Sequence, residues 1–353
     1  MLALSVKPQQ ADSASLDEWD VQLAADAPRV LLRALDIGIC GTDHEILTGR
    51  YGTPPPGEHR LIIGHESLGE VLQAPPGCDL RPGDLAVGFV RRPDPVPCPA
   101  CANGEWDMCK NGQYTERGIK GRHGYASERY AVRPDYLIRV PHALRRCGVL
   151  VEPTSVVAKA WEQIERIAAR ASIAPRTVLI TGAGPIGLLA ALLGRQRGLD
   201  VHVFDRHTQG PKPELVRALG ARYHAGELRD SGVEPDLIVE CTGAPAVLVE
   251  CVRLVTRDGI VCLTGVSSGG RSIAVDIGAF NRDMVLENGV IFGSVNANRR
   301  HYAAAVAALE RADAAWLEAL ITRRVALRDW RSAFETDAND IKIVLDFASG
   351  HAH

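Results

Sequence analysis

Residues 177–194 read TVLITGAGPIGLLAALLG, and this stretch decides the fold of the second half of the chain. An apolar, β-branched run leads into three glycines, after which the apolar residues take up helical spacing. GxGxxG alone is weak evidence, but between a buried strand and a helix it indicates a loop that holds a pyrophosphate, rather than a turn serving only tight packing. The backbone N–H groups at the start of the helix would face the phosphates. The predicted binding loop contains Gly182, Gly184, Pro185, Ile186 and Gly187.

The next apolar run, VHVFD, ends in Asp205, where this kind of fold places an acid against the ribose hydroxyls of an adenosine. A carboxylate there repels a 2′-phosphate and favours NAD. Arg206 and His207 follow directly and could instead bind that phosphate, so NADP or dual use stays open.

Short β-branched runs and helical segments continue to alternate through LIVECTG, IVCLTG and VIFGSV, which indicates βαβ units around a parallel sheet. The first part of the chain differs, because its β-like runs are separated by Pro/Gly-rich turns, as in an irregular β domain. Between the two parts, apolar residues at helical spacing predict a helix over residues 155–171.

Composition narrows the classes of function. With 353 residues the chain is longer than a single hydrophobic core usually accommodates, so we expect two domains. Of its residues 46% are hydrophobic, and the formal net charge is −3. We therefore expect neither nucleic acid nor a membrane as a partner. Nine cysteines, several closely spaced, suggest reduced thiols that include metal ligands, in a cytoplasmic protein.

One candidate metal site is formed by Cys40, His65, Glu66 and Glu152, which stand in three separate polar stretches. A thiol, an imidazole and carboxylates suit a catalytic zinc with an open position. Taken singly, the same residues would be a buried thiol, a core histidine and surface carboxylates, and their spacing does not decide between these interpretations.

A second constellation lies in PDPVPCPACANGEWDMC, residues 93–109, with three cysteines in a turn-rich loop. CxxC followed by a further cysteine is typical of a structural zinc, whose fourth ligand could be a carboxylate. Reduced thiols without metal explain the pattern equally well. The candidate ligands are Cys98, Cys101, Cys109 and Asp94.

Together these segments resemble a known family, the zinc-dependent medium-chain dehydrogenases. The resemblance is carried by GICGTDHE, GHESLGEV, RPGDLAVG, the cysteine-rich loop and TGAGPIGLLA, in the family's order. VEPTSVVAKA, YTERGIKGRHGY and GSVNANRRHY are most similar to the glucose (aldose) 1-dehydrogenase branch. The resemblance implies an α/β protein with a GroES-like catalytic domain, residues 1–156 and 297–353, and a Rossmann domain with a doubly wound parallel sheet, residues 157–296.

The resemblance also implies roles for single residues. Cys40, His65 and Glu152 match the catalytic-zinc ligands, and Glu66 matches a further ligand used in some states. Thr42 matches a hydroxyl near the substrate, and sugar hydroxyls would be contacted by Glu116, Glu152 and Asn296. The proton released would be carried by Thr42, His44, Glu45 or Glu66.

Two positions depart from the family pattern. Pro95 stands where the first structural cysteine is expected, and Val156 where some sugar-specific relatives carry a carboxylate. The implied reaction is hydride transfer from C1 of D-glucose to NAD(P)⁺ with a lactone as product, in a homo-dimer or tetramer. Another polyol or secondary-alcohol dehydrogenase is the alternative, and an inactive nucleotide-binding or redox-sensing protein is a more distant one.

Overall fold

The computed structural model describes residues 1–20, 28–172, 174–267, 269 and 272–348. The first ten strands are β1 Leu2–Val6, β2 Ser15–Glu18, β3 Val30–Ile39, β4 Leu61–Ile62, β5 Glu66–Gln73, β6 Leu85–Gly88, β7 Arg91–Arg92, β8 Thr115–Arg117, β9 Gly121–Arg122 and β10 Arg129–Val132. The remaining strands are β11 Leu137–Val140, β12 Thr177–Thr181, β13 Asp200–Phe204, β14 Arg222–His224, β15 Leu237–Glu240, β16 Ile260–Leu263, β17 Val290–Gly293, β18 Ile321–Ala326 and β19 Lys342–Asp346.

The α-helices are α1 Gly41–Leu47, α2 Pro99–Ala102, α3 Val151–Ala168, α4 Pro185–Gln196, α5 Pro211–Ala218, α6 Pro245–Leu254, α7 Ile277–Leu286, α8 Arg299–Glu310 and α9 Ala314–Leu320. Short 3₁₀ segments cover Trp106–Met108, Pro134–Tyr136, His142–Leu144, Gly148–Leu150, Leu228–Ser231 and Leu327–Phe334. Within the part of the chain that the structure describes, none of the helices is both long enough and apolar enough to span a bilayer.

The chain divides into two compact units. Unit 1 comprises Met1–Ser155 and Asn296–His353, and unit 2 comprises Val156–Val295. Helix α3 begins in unit 1 and continues into unit 2. It starts earlier than the apolar spacing predicts, because Pro153 falls in the first turn, where no intrahelical N–H donor is required.

Unit 2 contains a parallel sheet with strand order β14-β13-β12-β15-β16-β17. The strands are short and mostly buried, as expected when helices cover a parallel sheet. The order reverses direction between β12 and β15, which is the arrangement in which right-handed crossovers place helices on both faces of a sheet. The doubly wound α/β fold predicted from the sequence is confirmed.

The main sheet of unit 1 is built around β3. Its strand order is β11-β6-β5-β3-β19-β18, and β10 also pairs with β3. Both β5 and β19 run antiparallel to β3. Two three-stranded sheets, β2-β1-β4 and β7-β8-β9, complete the strands of the unit in the described residues.

Candidate active site

Three strand ends of the main sheet meet at one edge. β3 ends at Ile39, while its antiparallel neighbours begin there, β5 at Glu66 and β19 at Lys342. Cross-strand register places Gly38 opposite Glu66 and Ile39 opposite Ile343. Polar residues from distant parts of the sequence therefore collect at this edge.

Cys40 follows β3 and serves as the N-cap of α1. Its backbone is extended, and its Sγ accepts a hydrogen bond from the backbone N–H of Thr42 at 3.3 Å. The backbone N–H of Cys40 donates to Asp43 Oδ2 at 3.0 Å, which closes a reciprocal capping box. These two hydrogen bonds fix the position of the Cys40 side chain at the start of α1.

His65 is positioned by the turn before it. Gly64 has φ +85°, and a Cβ there would lie 2.8 Å from the Ile37 side chain, so the position requires glycine. The imidazole Nε2 lies 3.1 Å from Cys40 Sγ, and Nδ1 lies 3.5 Å from Asp43 Oδ1. Burial lowers the pKa of His65, but the charges of Cys40 and Asp43 outweigh burial and raise it well above its ordinary value.

Glu66 is bound by a buried lysine. Lys342 Nζ donates to Glu66 Oε1 at 2.7 Å and Oε2 at 2.6 Å, and also to the carbonyl oxygen of Ile39 at 3.1 Å. The two side chains are 2% and 3% exposed, so this is a desolvated ion pair. A Cβ at Gly38 would lie 2.0 Å from Glu66 Oε2, so glycine there makes room for the carboxylate.

Glu152 lies in the first turn of α3 and is buried. Burial raises its pKa to about 7, and the charges of His65, Glu66 and Lys342 also act on it. These charges place Glu152 in the same buried region. In helix α1, the half-buried ring of His44 packs edge-on against the ring of Phe334, with centroids 5.2 Å apart.

The residues at the sheet edge suit a zinc ion. In the described chain, one ligand atom from each of Cys40, His65 and Glu66 lies within 4.8 Å of the other two, whereas Glu152 falls outside this group. Sulfur, imidazole and carboxylate ligands match the borderline-soft preference of zinc. The buried His65 Nδ1 and Asp43 Oδ1 have no closer partner than each other, which is the usual arrangement behind a ligating histidine.

Two of the predicted sugar contacts lie together elsewhere in unit 1. Asn296 Nδ2 donates to Glu116 Oε1 at 2.8 Å across 180 positions of sequence. Arg91 donates to the same oxygen through Nε and Nη2, both at 3.0 Å. Glu116 Oε2 accepts no hydrogen bond from any described residue, so it can receive one from a ligand hydroxyl.

The glycine loop of unit 2 has the geometry of a phosphate cradle. Gly182 has φ +92°, and a Cβ at Gly187 would lie 1.7 Å from the carbonyl oxygen of Gly182. A Cβ at Gly184, the N-cap of α4, would meet nothing within 4 Å, so its surroundings are open to a ligand. Pro185 occupies the first helical position, where no N–H donor is lost, and Ile186 follows it.

The acid at the end of β13 is held in place. Asp205 Oδ2 accepts from the backbone N–H of Ala183 at 2.7 Å, and Oδ1 lies 2.6 Å from His207 Nδ1. Although burial raises the pKa of Asp205, these hydrogen bonds lower it overall. Arg206 is exposed, and Lys212 Nζ lies 3.4 Å from His207 Nδ1.

The structure brings the three cysteines of the loop at 93–109 together. Ligand atoms of Cys98, Cys101 and Cys109 lie within 4.8 Å of one another. Asp94 is not part of this group; it is buried, and its Oδ1 accepts from the backbone N–H of Val96. Backbone hydrogen bonds, first that of Lys110, lower the pKa of Cys98 to about 6.

Three residues of these sites were not predicted from the sequence, namely Asp43, Lys342 and Arg91. Asp43 stands within the quoted GICGTDHE segment, and its short polar side chain in a cap was a usable signal. No local pattern marks Lys342 or Arg91, because their partners lie 276 and 25 positions away.

Comparison with known proteins identifies the class. Residues 26–142 match the alcohol dehydrogenase GroES-like domain, and residues 145–347 match the glucose dehydrogenase C-terminus. The glucose 1-dehydrogenase of Methanocella arvoryzae is 39% identical over 99% of this chain and all of that protein. That of Thermoproteus tenax is also 39% identical, over 98% of this chain and 99% of that protein.

A solved structure agrees with these matches. The glucose dehydrogenase of Haloferax mediterranei, in complex with NADP, Zn and gluconolactone, has a TM-score of 0.89 at 32% identity and covers 99% of both chains. The protein is thus a dehydrogenase built from a GroES-like domain and a Rossmann fold. It belongs to the zinc-dependent medium-chain dehydrogenase family, in the glucose dehydrogenase branch, which confirms the resemblance seen in the sequence.

Proposed function

We propose that the protein oxidises an aldose, D-glucose, at C1 and passes the hydride to NAD⁺ or NADP⁺, with a lactone as product. The observation that carries the proposal is the group formed by half-buried Cys40 and buried His65 and Glu66 at one edge of the main sheet. The names of the similar proteins support the choice of sugar, and the ligands of the Haloferax structure support zinc and a nicotinamide cofactor.

Each unit has a separate task in this proposal. Residues 1–156 and 297–353 form the GroES-like catalytic domain, and residues 157–296 form the dinucleotide-binding domain. The cradle at Gly182–Gly187 would hold the pyrophosphate, with Asp205, Arg206 and His207 at the adenosine ribose.

Cys40 and His65 would hold the zinc, with Glu152 or Glu66 as carboxylate ligand. When bound, zinc supplies a Lewis acid that lowers the pKa of the substrate hydroxyl. The N–H of Thr42 would hold Cys40 Sγ in place, and Asp43 would orient the imidazole. Lys342 neutralises Glu66 and fixes its carboxylate.

The sugar would be held by hydrogen bonds. Glu116 Oε2 and Asn296 are our candidates for contacts to ring hydroxyls, because Arg91 fixes the carboxylate through Oε1. A site that pairs several hydroxyls discriminates strongly against substrates that lack them. We favour Thr42 as a relay, whose hydroxyl would accept the substrate proton while donating its own to water, since His44 is packed on Phe334 and Glu66 is bound by Lys342.

The first experiment measures initial rates of nicotinamide reduction by zinc-loaded protein with D-glucose, using NAD⁺ and NADP⁺ in parallel. We expect turnover that is lost on chelation and restored by zinc. Cys40→Ser should lose both bound zinc and activity. The matched control is Cys78→Ser, which removes a half-buried thiol outside the metal group and should leave both unchanged.

Two results would change the proposal. Turnover of polyols or secondary alcohols without turnover of glucose would replace the substrate and keep the zinc mechanism. Cofactor binding without zinc binding or turnover of any alcohol would indicate an inactive nucleotide-binding protein.

We also propose that two copies of the chain associate through unit 2. Strand β17 ends its sheet, and several apolar side chains near it are exposed, including Ile277, Val285, Leu286 and Val295. Helices α6 and α7 line an apolar cavity of about 590 Å³ on this unit. Light scattering should give a dimer or tetramer, and Leu286→Lys should shift it toward monomer. Val96→Lys, at an exposed apolar residue of unit 1, is the control.

We further propose a second zinc in the loop at 93–109. Its ligands would be Cys98, Cys101 and Cys109, with Asp94 as a candidate fourth.

All nine cysteines are free thiols in the structure, which supports residence in the reducing cytoplasm. Detection of a disulfide in protein extracted under thiol-blocking conditions would contradict that location.

A further inference from the structure

The small sheet β7-β8-β9 presents different chemistry on its two faces. In register, Arg91 lies opposite Glu116, Arg92 opposite Thr115, and Arg117 beside Arg122. Because side chains alternate along a strand, Arg91 and Glu116 point to one face. Arg92, Arg117 and Arg122 point to the other.

This second face borders a cavity of about 280 Å³. In the described part of the chain no carboxylate lines it, and five of its seven lining residues are arginines. The lining residues are Arg29, Arg92, Pro93, Arg117, Arg122, Arg133 and Tyr136.

Two of these guanidinium groups are buried, have no carboxylate partner in the described chain, and are held by backbone carbonyl groups and by aromatic rings, Tyr136 at 4.0 Å from Arg92 and Tyr125 at 5.1 Å from Arg117. Arg92 is 6% exposed and Arg117 is 8% exposed. Arg92 Nη1 donates to the carbonyl oxygen of Phe89 at 2.7 Å, and Arg117 Nη2 donates to that of Ala131 at 2.8 Å. Among the described residues, the buried atoms Arg92 Nη2 and Arg117 Nε have no hydrogen-bond partner.

Arg133 pairs with Asp135 at 2.9 Å, so the unbalanced positive charge of the cavity lies on Arg92, Arg117 and Arg122. A neighbouring cavity that shares Arg29, Arg117 and Arg122 does contain the acids Glu18, Asp20 and Glu58, of which Glu58 is bound to His123 at 2.7 Å. No ion pair joins Arg92, Arg117 or Arg122 to a carboxylate of the described residues. Burial, followed by the charges of Arg92 and Arg122, lowers the pKa of Arg117 to about 10.

Arg91, which lies beside Arg92 in β7, differs because a carboxylate neutralises its charge. It is as deeply buried as Arg92, yet both Nε and Nη2 reach the carboxylate of Glu116. A buried guanidinium without an anion is costly, and several close together also repel one another. The arginines on the opposite face therefore lack an anion that Arg91 already has.

We propose that this cavity binds a small phosphate-class oxyanion, either inorganic phosphate or the phosphate group of a monoester. Planar N–H forks converging from several arginines match the geometry of phosphate oxygens. The site is distinct from the cradle at Gly182–Gly187, and the alternation of the strands separates it from Glu116. Its ligand would therefore compete with neither cofactor nor sugar.

The test titrates orthophosphate, and separately glycerol 3-phosphate, into protein saturated with cofactor, so that the cradle is already filled. The readouts are ³¹P line broadening and the rise in Tm against sodium chloride at equal ionic strength. We expect saturable binding, weakened about 10-fold or more in Arg122→Gln, which removes one charged donor from a half-buried position. Arg166→Gln is the matched control, since it removes an exposed arginine of α3.

A second measurement needs no variant. Phenylglyoxal labels accessible arginines, and mass spectrometry should show phosphate protecting Arg122 and Arg133 but not Arg166. Tighter binding of one compound would identify free phosphate or the monoester as the ligand. Equal binding by wild type and Arg122→Gln, together with labelling that phosphate does not change, would overturn the proposal.

Discussion

Replacing Lys342 by methionine should destabilise unit 1 severely. The substitution removes three hydrogen bonds, two to the Glu66 carboxylate and one to the carbonyl oxygen of Ile39, and leaves Glu66 charged in a site that is 3% exposed. Breaking a buried ion pair by removing one partner costs about 3–5 kcal/mol of unfolding free energy. At a urea m-value of about 2–3 kcal/mol/M, the midpoint of unfolding should fall by roughly 1–2.5 M.

The assay is urea unfolding of metal-free protein followed by tryptophan fluorescence. Four of the five tryptophans lie in unit 1 and only Trp161 lies in unit 2, so the signal reports mainly on the relevant unit. Glu66→Gln and the double variant complete a thermodynamic cycle. Because the double variant has neither charge, its loss should be well below the sum of the two single losses.

Two results would refute this reasoning. One is a midpoint for Lys342→Met within 0.3 M of wild type, a threshold on the order of the extrapolation uncertainty. The other is additivity of the two single variants, which would mean that the two charges do not interact.

Three further predictions concern cofactor, substrate and stability. Asp205→Ala should raise the ratio of kcat/KM with NADP⁺ to that with NAD⁺ about 10-fold, because a carboxylate that repels the 2′-phosphate is lost; unchanged ratios would remove this role. Asn296→Ala should raise KM for D-glucose about 10-fold at unchanged zinc content, measured by initial rates and metal analysis, and an unaltered KM would exclude the contact. Burial lowers the pKa of His123, whose Nδ1 accepts from the backbone N–H of Ile62. Its contribution to stability is full above the ordinary histidine pKa of about 6.5 and is lost as pH falls through the lower folded value. Urea midpoints between pH 7.5 and 5 should therefore fall less in His123→Gln than in wild type.

The glycine loop was predictable because its signal is local. A strand, three glycines and a helix occur within 20 residues, and the structure displays a geometric need for Gly182, which has φ +92°, and for Gly187, where a Cβ would lie 1.7 Å from a carbonyl oxygen. The α/β class followed for the same reason, since alternating periodicity is visible without knowledge of long-range pairing.

The metal group was only partly accessible from sequence. Cys40, His65 and Glu66 were candidates by residue type, but their contact depends on the register between β3 and β5. Lys342 could not be predicted from the sequence, because its role depends on the pairing of β19 with β3. A single lysine in an apolar strand gives no indication of which buried carboxylate it will contact. The arginine cavity was likewise hidden, because Arg117 and Arg122 share a face only through the pairing of β8 with β9.

The placement of β19 between β3 and β18 in the main sheet also has a consequence for synthesis on the ribosome. Unit 2 is continuous in sequence and can fold as soon as residue 295 has emerged, whereas the sheet of unit 1 stays open next to β3 until residues 342–346 follow. The last strand to be made is the one that supplies the cation for Glu66. A chain that has not yet added β19 therefore leaves the Glu66 carboxylate without its buried cation.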